Sequence, residues 1–225
     1  MSETDSFIEE VTEELRRDRL YAMLRKYGWI AILTVVLIVG GAAYNEWRKA
    51  SIRAASQALG DKVMTALAGA TAEDRATAMT GIEGDNPQSQ VFLGLLTAAT
   101  RVEASDRDAA LELLDAIAVN PDAPQIYRQL ATLKAVILRG SDQDRTARMA
   151  ALEILATPGN PFRVVALEQI ALAHFEFGDN AAAIKTLRTI LDEPDATQGL
   201  LQRAQQLIVA LGGDLSEANG AGEDG

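Results

Sequence analysis

Residues 27–45, YGWIAILTVVLIVGGAAYN, constrain the fold of this chain more than any other stretch. These nineteen residues include no Asp, Glu, Lys, Arg or His. A helix rises about 1.5 Å per residue, so one of this length extends roughly 28 Å, close to the hydrocarbon thickness of a bilayer. Aromatic rings favour the two headgroup layers, and both ends carry them: Tyr27, Trp29, Tyr44 and Trp47. The sequence predicts a transmembrane helix over 27–45.

Two other interpretations of this stretch are a buried helix of a soluble protein and a cleaved signal peptide. A buried helix is disfavoured because charged residues adjoin both ends of the run and no second run of this kind follows. The small residues at 40–43 would suit a signal peptidase, but a signal peptide begins with a short basic region. The segment before residue 27 is long and contains acidic as well as basic residues, which favours an uncleaved anchor.

The basic residues that flank the span predict its orientation. Five of them precede it and three follow it: Arg16, Arg17, Arg19, Arg25 and Lys26, then Arg48, Lys49 and Arg53. The side with more Lys and Arg tends to stay in the cytoplasm. The sequence therefore predicts a single-pass protein with a cytoplasmic head at 1–26 and a C-terminal domain on the other side of the membrane.

The charge and composition of the large domain limit its partners. Most of the formal net charge of −11 lies beyond residue 49. This acidic balance argues against nucleic acid and against anionic membrane surfaces, both of which require clustered Lys and Arg. The chain has no Cys, so disulfide bonds do not hold the fold together. Ala and Leu are abundant and alternating Val, Ile and Thr runs are missing, which predicts an all-helical fold.

Gly, Pro, Asn and Asp clusters divide the rest of the chain into helices. A helical connector is predicted over 46–86, with one helix that starts at Thr71, and a disordered tail over 212–225. Between them the predicted helices are 88–104, 109–119, 124–139, 145–156, 163–177, 181–192 and 197–211.

Two segments align without a gap, at the constant offset that takes Ala98 to Ala171. The other matching positions are Asp106 with Asp179, Ala110 with Ala183, Leu114 with Leu187, Ile117 with Ile190 and Pro121 with Pro194. The offset is twice a repeat of about 36 residues, close to the two-helix repeats of solenoid proteins. A middle unit is then predicted over 124–158, with Ala147, Ala151 and Ile154 on the packing face of its second helix.

The segment 166–190 resembles a tetratricopeptide repeat. The residues that carry the resemblance are Ala166, Leu167, Ala171, His174, Gly178, Asp179, Ala183, Leu187 and Ile190. Leu167 and His174 stand where the family usually has aromatic residues. The resemblance implies that residues 87–211 form a solenoid of antiparallel helix pairs after the single transmembrane helix.

The order of segments is similar to that of the YfgM-like ancillary subunits of the SecYEG translocon. The similarity rests on FIEEV at 7–11, LRRDRL at 15–20, KYG at 26–28 and PGNPFR at 158–163. It implies a bacterial inner-membrane protein with a periplasmic tetratricopeptide-like domain. The implied partners are SecYEG and a periplasmic chaperone of the PpiD type.

No residue pattern in the sequence predicts chemistry, so no catalytic, cofactor-binding or metal-binding residue is assigned. His174, the single His, is interpreted as a structural residue. The carboxylate pairs at 106 and 108 and at 142 and 144 precede predicted helices, where capping explains them. The pair at 192–193 is interpreted as a solvated helix end. The sequence predicts a non-enzymatic adaptor that binds proteins. A scaffold for another envelope assembly, in outer-membrane biogenesis, division or respiration, stays open as the alternative.

Overall fold

The computed structural model describes residues 3–215, with the side chains of residue 23, of 25–30 and of 32–215. Helices make up all the regular secondary structure of the described residues, and they include no strand, which confirms the all-helical prediction. The α-helices are α1 (Glu3–Leu67), α2 (Ala72–Thr80), α3 (Pro87–Glu103), α4 (Arg107–Val119), α5 (Gln125–Arg139), α6 (Arg145–Leu155), α7 (Arg163–Glu176), α8 (Asn180–Leu191) and α9 (Gln198–Ala210). A 3₁₀ turn, Gly140–Asp142, lies between α5 and α6.

The first of two compact units, Met1–Asp61, contains most of α1. Within the described residues, α1 is the one helix long and apolar enough to cross a membrane. None of its most apolar window is buried inside the protein, so it is not the core helix of a soluble fold. The predicted boundaries of the head, span and connector at 26/27 and 45/46 both lie within this helix. The side chains of the FIEEV and LRRDRL segments lie outside the described residues, as do positions 216–225 of the predicted tail.

The second compact unit, Lys62–Gly225, contains α2 to α9. Each helix packs on the next along the chain. The seven helices predicted over 88–211 are confirmed, each with ends within two residues of the prediction. The start at Thr71 is confirmed as well, because its hydroxyl accepts from the backbone N–H of Asp74 and the Asp74 carboxylate accepts from that of Thr71.

The internal repeat extends beyond the segments that align by sequence. The same offset separates the first residue of α2 from that of α6, that of α4 from that of α8, and that of α5 from that of α9. It also separates the last residue of α3 from the last residue of α7. Equivalent positions are also buried alike: Ala98 with Ala171, Ala110 with Ala183, Leu114 with Leu187, Ile117 with Ile190, and Ala131 with Ala204. We therefore define two four-helix repeats, the first repeat at 71–139 and the second repeat at 144–212.

The turns between the second and third helices of the two repeats have the same geometry. Ser105 has φ 62° and the equivalent Gly178 has φ 76°. Next to them, the backbone N–H of Asp106 donates to the Arg101 carbonyl at 2.8 Å, and that of Asp179 to the His174 carbonyl at 2.9 Å. These bonds close the preceding helix, as expected after a residue in the left-handed region. Each Asp then caps the following helix.

The predicted packing face of α6 is wrong by one residue. Ala147 and Ile154 are exposed and Ala151 is half-buried, whereas Arg148, Leu152 and Leu155 are the buried residues of this helix. The prediction aligned α6 with α4, but its structural equivalent is α2. The buried arginine of α6 is Arg148. A charged residue in a sequence pattern is normally assigned to the surface, because such residues are rarely buried without a partner.

Candidate binding groove

The helices α3, α5 and α7 each expose two large apolar side chains. The two lie ten or eleven positions apart, which places them about 80° apart around the helix axis on α3 and α7 and about 20° apart on α5. They are Phe92 and Val102 on α3, Ile126 and Ile137 on α5, and Val165 and Phe175 on α7. Phe92 is 49% exposed and Phe175 is 51% exposed. Aromatic residues that stay half in solvent suit a contact surface better than a core.

Three neighbouring cavities lie along these helices. One of about 300 Å³ separates α3 from α5, with Val102 and Ile137 on its walls. A second of about 460 Å³ lies between the start of α5, including Ile126, and the loop 157–161. The third, of about 700 Å³, lies between that loop with the start of α7 and the loop before α9. The loop 157–161 borders the last two, and α5 borders the first two. We call this surface of α3, α5, α7 and the start of α9 the groove.

The repeat places equivalent residues at equivalent points of the groove. The offset that takes Ala98 to Ala171 also takes Phe92 to Val165 and Val102 to Phe175. Each of these two groove pairs contains one aromatic and one aliphatic residue, in opposite order. Exposed apolar residues therefore recur at these two positions in both repeats, although neither pair is identical.

Two arginines tie the walls at the α7–α9 end together. The Arg163 guanidinium donates to Glu193 through Nε at 2.9 Å and Nη2 at 2.7 Å, and also to the Ala156 carbonyl. Arg203 on α9 donates to Glu168 on α7 at 2.8 and 3.2 Å. These bonds connect α7 to the end of α6, to the loop after α8 and to α9.

The same contacts stabilise the charged form of both arginines. The hydrogen bond from Arg163 to Glu193 raises the pKa of Arg163 above its ordinary value. The bond to Glu168, together with its negative charge, raises the pKa of Arg203. A raised pKa means that the stabilising contribution is fully present below the ordinary arginine value. Both arginines therefore stay charged throughout the physiological pH range.

The interpretation of residues 192–193 as a solvated helix end is wrong for Glu193. Its side chain is only 15% exposed and forms an ion pair with Arg163, which lies 30 residues earlier in the chain. The sequence shows an acid before a proline and contains no local sign of a distant arginine. By contrast, Asp106 and Asp144 accept from the backbone N–H groups of Ala109 and Ala147, which confirms their role as helix caps.

His174 lies on α7 with its side chain half-buried. Its Nδ1 is buried and has no hydrogen-bond partner among the described residues. At the equivalent position of the first repeat, Arg101 donates to Asp106 at 3.0 Å and to Thr80 at 2.9 Å. Across the described residues, no group of three or more His, Cys, Asp or Glu side chains is arranged to hold a metal ion.

The groove thus combines exposed apolar residues with many polar and charged ones, among them Gln125, Gln129, Asn160, Arg163 and Glu193, and a mixed surface of this kind suits the binding of a protein segment. The sequence analysis did not assign these residues. The sequence does contain an indication of them. On α3 the apolar residues Phe92 and Val102 occur in addition to the buried Val91 and Ala98, so the apolar stripe of this helix is wider than the core requires.

A comparison with known proteins finds no family model, no curated protein and no solved structure that matches this chain.

Proposed function

We propose that this protein is a membrane-anchored adaptor whose groove binds other proteins. In this proposal residues 27–45 span the bacterial inner membrane with the N-terminus in the cytoplasm. The helices α2 to α9 form a tetratricopeptide-like solenoid on the periplasmic side. The observation that carries the proposal is the set of large apolar residues left exposed on α3, α5 and α7.

The resemblance described above names the partners of this adaptor. An ancillary subunit of the Sec translocon would hold its groove beside emerging chains and beside a PpiD-type chaperone. Anchoring in the same membrane raises the effective concentration of such partners, so that a modest intrinsic affinity is sufficient. The acidic character of the domain is compatible with protein ligands and disfavours nucleic acid.

Site-specific photocrosslinking in cells tests the role of the groove. A photoreactive phenylalanine analogue replaces Val102 or Phe175, and in a control it replaces the exposed Glu153 on α6. We expect crosslinks to SecYEG subunits or to a PpiD-type chaperone from the two groove positions only. Crosslinks to an outer-membrane biogenesis, division or respiratory complex would support the scaffold alternative instead. Equal crosslinking from Glu153 would contradict a role for the groove.

Substitutions provide the matching loss-of-function test. Phe92→Ser together with Phe175→Ser removes the two exposed aromatics, and anchors of this type often contribute about 2 kcal/mol or more each, about 30-fold in affinity. The control is Val119→Ser with Ile154→Ser, which removes two apolar residues that are 80% and 66% exposed and lie on α4 and α6, outside the groove helices α3, α5 and α7. Partner recovery should fall for the first variant and stay unchanged for the second.

Protease accessibility tests the orientation. Protease added to spheroplasts should digest the region of α2 to α9 and leave a membrane-protected fragment that contains residues 1–45. Full protection of α2 to α9 in intact spheroplasts, with digestion only after lysis, would overturn the proposed topology.

A further inference from the structure

A second recess lies on the side of α3 that faces away from the groove. It has a volume of about 750 Å³ and is bordered by α2, α3 and α4. On α3 it is lined at positions 90, 93, 94, 97 and 101, whereas the groove uses positions 92, 99 and 102. At about 100° per residue these two sets point in opposite directions. We call this recess the cleft.

The wall that α4 contributes to the cleft is apolar in the first repeat and polar in the second. Leu113 and Ala116 line the cleft, and the equivalent residues on α8 are Thr186 and Thr189. Both threonine hydroxyls donate to carbonyls of their own helix, at 2.9 and 3.2 Å. The second repeat therefore folds with threonine at both positions. Leu113 is half-buried and also packs against the core cluster of the first repeat, and Ala116 is exposed, so that the first repeat presents an apolar surface here that the second repeat lacks.

The floor of the cleft has less side-chain volume than the same place in the second repeat. Gly94 and Thr97 line the cleft on α3, and the equivalent residues on α7 are Leu167 and Ile170. Both of these aliphatic side chains are buried, with exposures of 9% and 7%. The first repeat thus has smaller residues on the floor of the cleft. Part of the space at Gly94 is taken by Ile117, whose Cδ1 would lie 3.0 Å from a Cβ at that position, and the cleft of about 750 Å³ stays open above it.

The charges at the cleft are not balanced. Glu83 and Glu112 border it and are exposed, and neither is in an ion pair or side-chain hydrogen bond within the part of the chain that the structure describes. The Arg101 guanidinium, also at the cleft, is already bonded to Asp106 and Thr80. At the position of Glu112 the second repeat has Lys185. The cleft therefore favours a cationic occupant over an anionic one.

We propose that the cleft binds a short segment of a partner protein that presents two aliphatic side chains next to a lysine or arginine. The aliphatic groups pack against Leu113 and Ala116, and the cation pairs with Glu112, while Glu83 adds to the negative charge of the cleft. The volume lies within the range of sites that enclose several side chains. This site is separate from the groove and extends the proposed function, because it allows the protein to hold two partners at once.

Fluorescence anisotropy with defined peptides tests the proposal on the full-length chain in zwitterionic detergent micelles, with empty micelles as the blank. The probe is a labelled decapeptide with two leucines at positions i and i+4 and two lysines. Matched probes carry glutamate in place of lysine or serine in place of leucine. We expect saturable binding of the first probe and at least tenfold weaker binding of the other two.

The internal repeat supplies variants that preserve the fold. Leu113→Thr with Ala116→Thr, and separately Glu112→Lys, introduce the residues that the second repeat carries at the same positions. Each should weaken binding of the leucine–lysine probe at least tenfold without loss of helical circular dichroism. The controls are Thr186→Ser on α8 and Val102→Ser in the groove, which should leave binding unchanged. The groove control shows that the probe does not bind in the groove. Failure of the cleft would leave the crosslinks from Val102 and Phe175 in place, whereas failure of the adaptor function would remove them.

Several outcomes would overturn the proposal. They are absence of saturable binding by the leucine–lysine probe, equal binding by the glutamate probe, and unchanged affinity in the Glu112→Lys variant. A second copy of this chain is the other candidate occupant, and sedimentation of the full-length protein detects it. A dimer that the Leu113→Thr and Ala116→Thr substitutions dissociate would assign the cleft to self-association and contradict a separate partner.

Discussion

The two four-helix repeats build the same ion pair and bury it to different depths. Arg75 on α2 pairs with Glu103 on α3, and at the equivalent positions of the second repeat Arg148 on α6 pairs with Glu176 on α7. The Arg75 side chain is 26% exposed, whereas that of Arg148 is 3% exposed. Around Arg148, α6 and α7 form a core cluster with Leu133 and Val136 of the preceding helix, α5.

This difference shows that an identical pair of residues can be a surface contact or a core contact, depending on its neighbours. The contribution of an ion pair to the stability of the fold depends on its exposure to solvent, since exposed pairs contribute little and a buried pair is costly to break. The two repeats differ in the same way elsewhere: the cleft next to α3 is open and lined by Gly94 and Thr97, and the equivalent positions on α7 hold large buried side chains.

The largest expected effect tests what the repeats share. Leu114→Ala and Leu187→Ala each remove a side chain that is at most 2% exposed, and such truncations cost about 3 kcal/mol. Hydrogen exchange measured by mass spectrometry on the full chain should show a similar loss of protection in α4 and in α8. The control Val119→Ala, at a residue 80% exposed, should change stability by less than about 0.5 kcal/mol. A loss confined to one repeat would contradict their equivalence.

The second largest effect tests the difference in burial between the ion pairs of the two repeats. Arg148→Met should cost about 2–3 kcal/mol, because it removes a buried guanidinium contact and leaves Glu176 unpaired. Arg75→Met should cost less than about 1 kcal/mol, because the pair is solvent-screened. Hydrogen-exchange protection of α6 and α7 measures the effect of Arg148→Met, and protection of α2 and α3 measures the effect of Arg75→Met.

A double-mutant cycle with Glu176→Gln isolates the pairwise term of the Arg148 contact. The corresponding cycle with Glu103→Gln is the matched control. Equal losses for the two arginine variants would show that the difference in burial has no energetic consequence.

The smallest effect concerns the two turns. Gly178 and Ser105 both have positive φ, a conformation that costs roughly 1 kcal/mol or more for residues with a Cβ atom. A Cβ at Gly178 would have no atom within 4 Å, so Gly178→Ala should cost about 1 kcal/mol through the backbone alone. Ser105→Gly should be neutral or stabilising by about 0.5 kcal/mol.

Thermal unfolding of the full chain, followed by circular dichroism, measures these two turn variants. The combined variant Ser105→Gly with Gly178→Ala should fall between the two single variants, because the turns lie in separate repeats. A Gly178→Ala variant as stable as the parent would contradict the role of the left-handed conformation.

Local patterns in the sequence determined the helices. The apolar run at 27–45 predicts the exposed α1, and Asp106, Asp144 and Thr71 predict helix starts. These features depend on residues within one or two turns of each other, so that no knowledge of the distant chain is required. For the same reason, the seven helices over 88–211 could be located to within two residues.

Only the tertiary structure decided which side chains the helices bury and which they expose. Arg148 is in the core because Glu176, 28 residues away, accompanies it, and Glu193 is covered because Arg163 reaches it. The groove and the cleft arise where side chains from several helices meet. A sequence pattern reflects the polarity of each residue. It does not show which distant residue packs against that residue and excludes solvent from it. The length and period of the chain's helices are therefore readable in the sequence, and the surfaces they create are not.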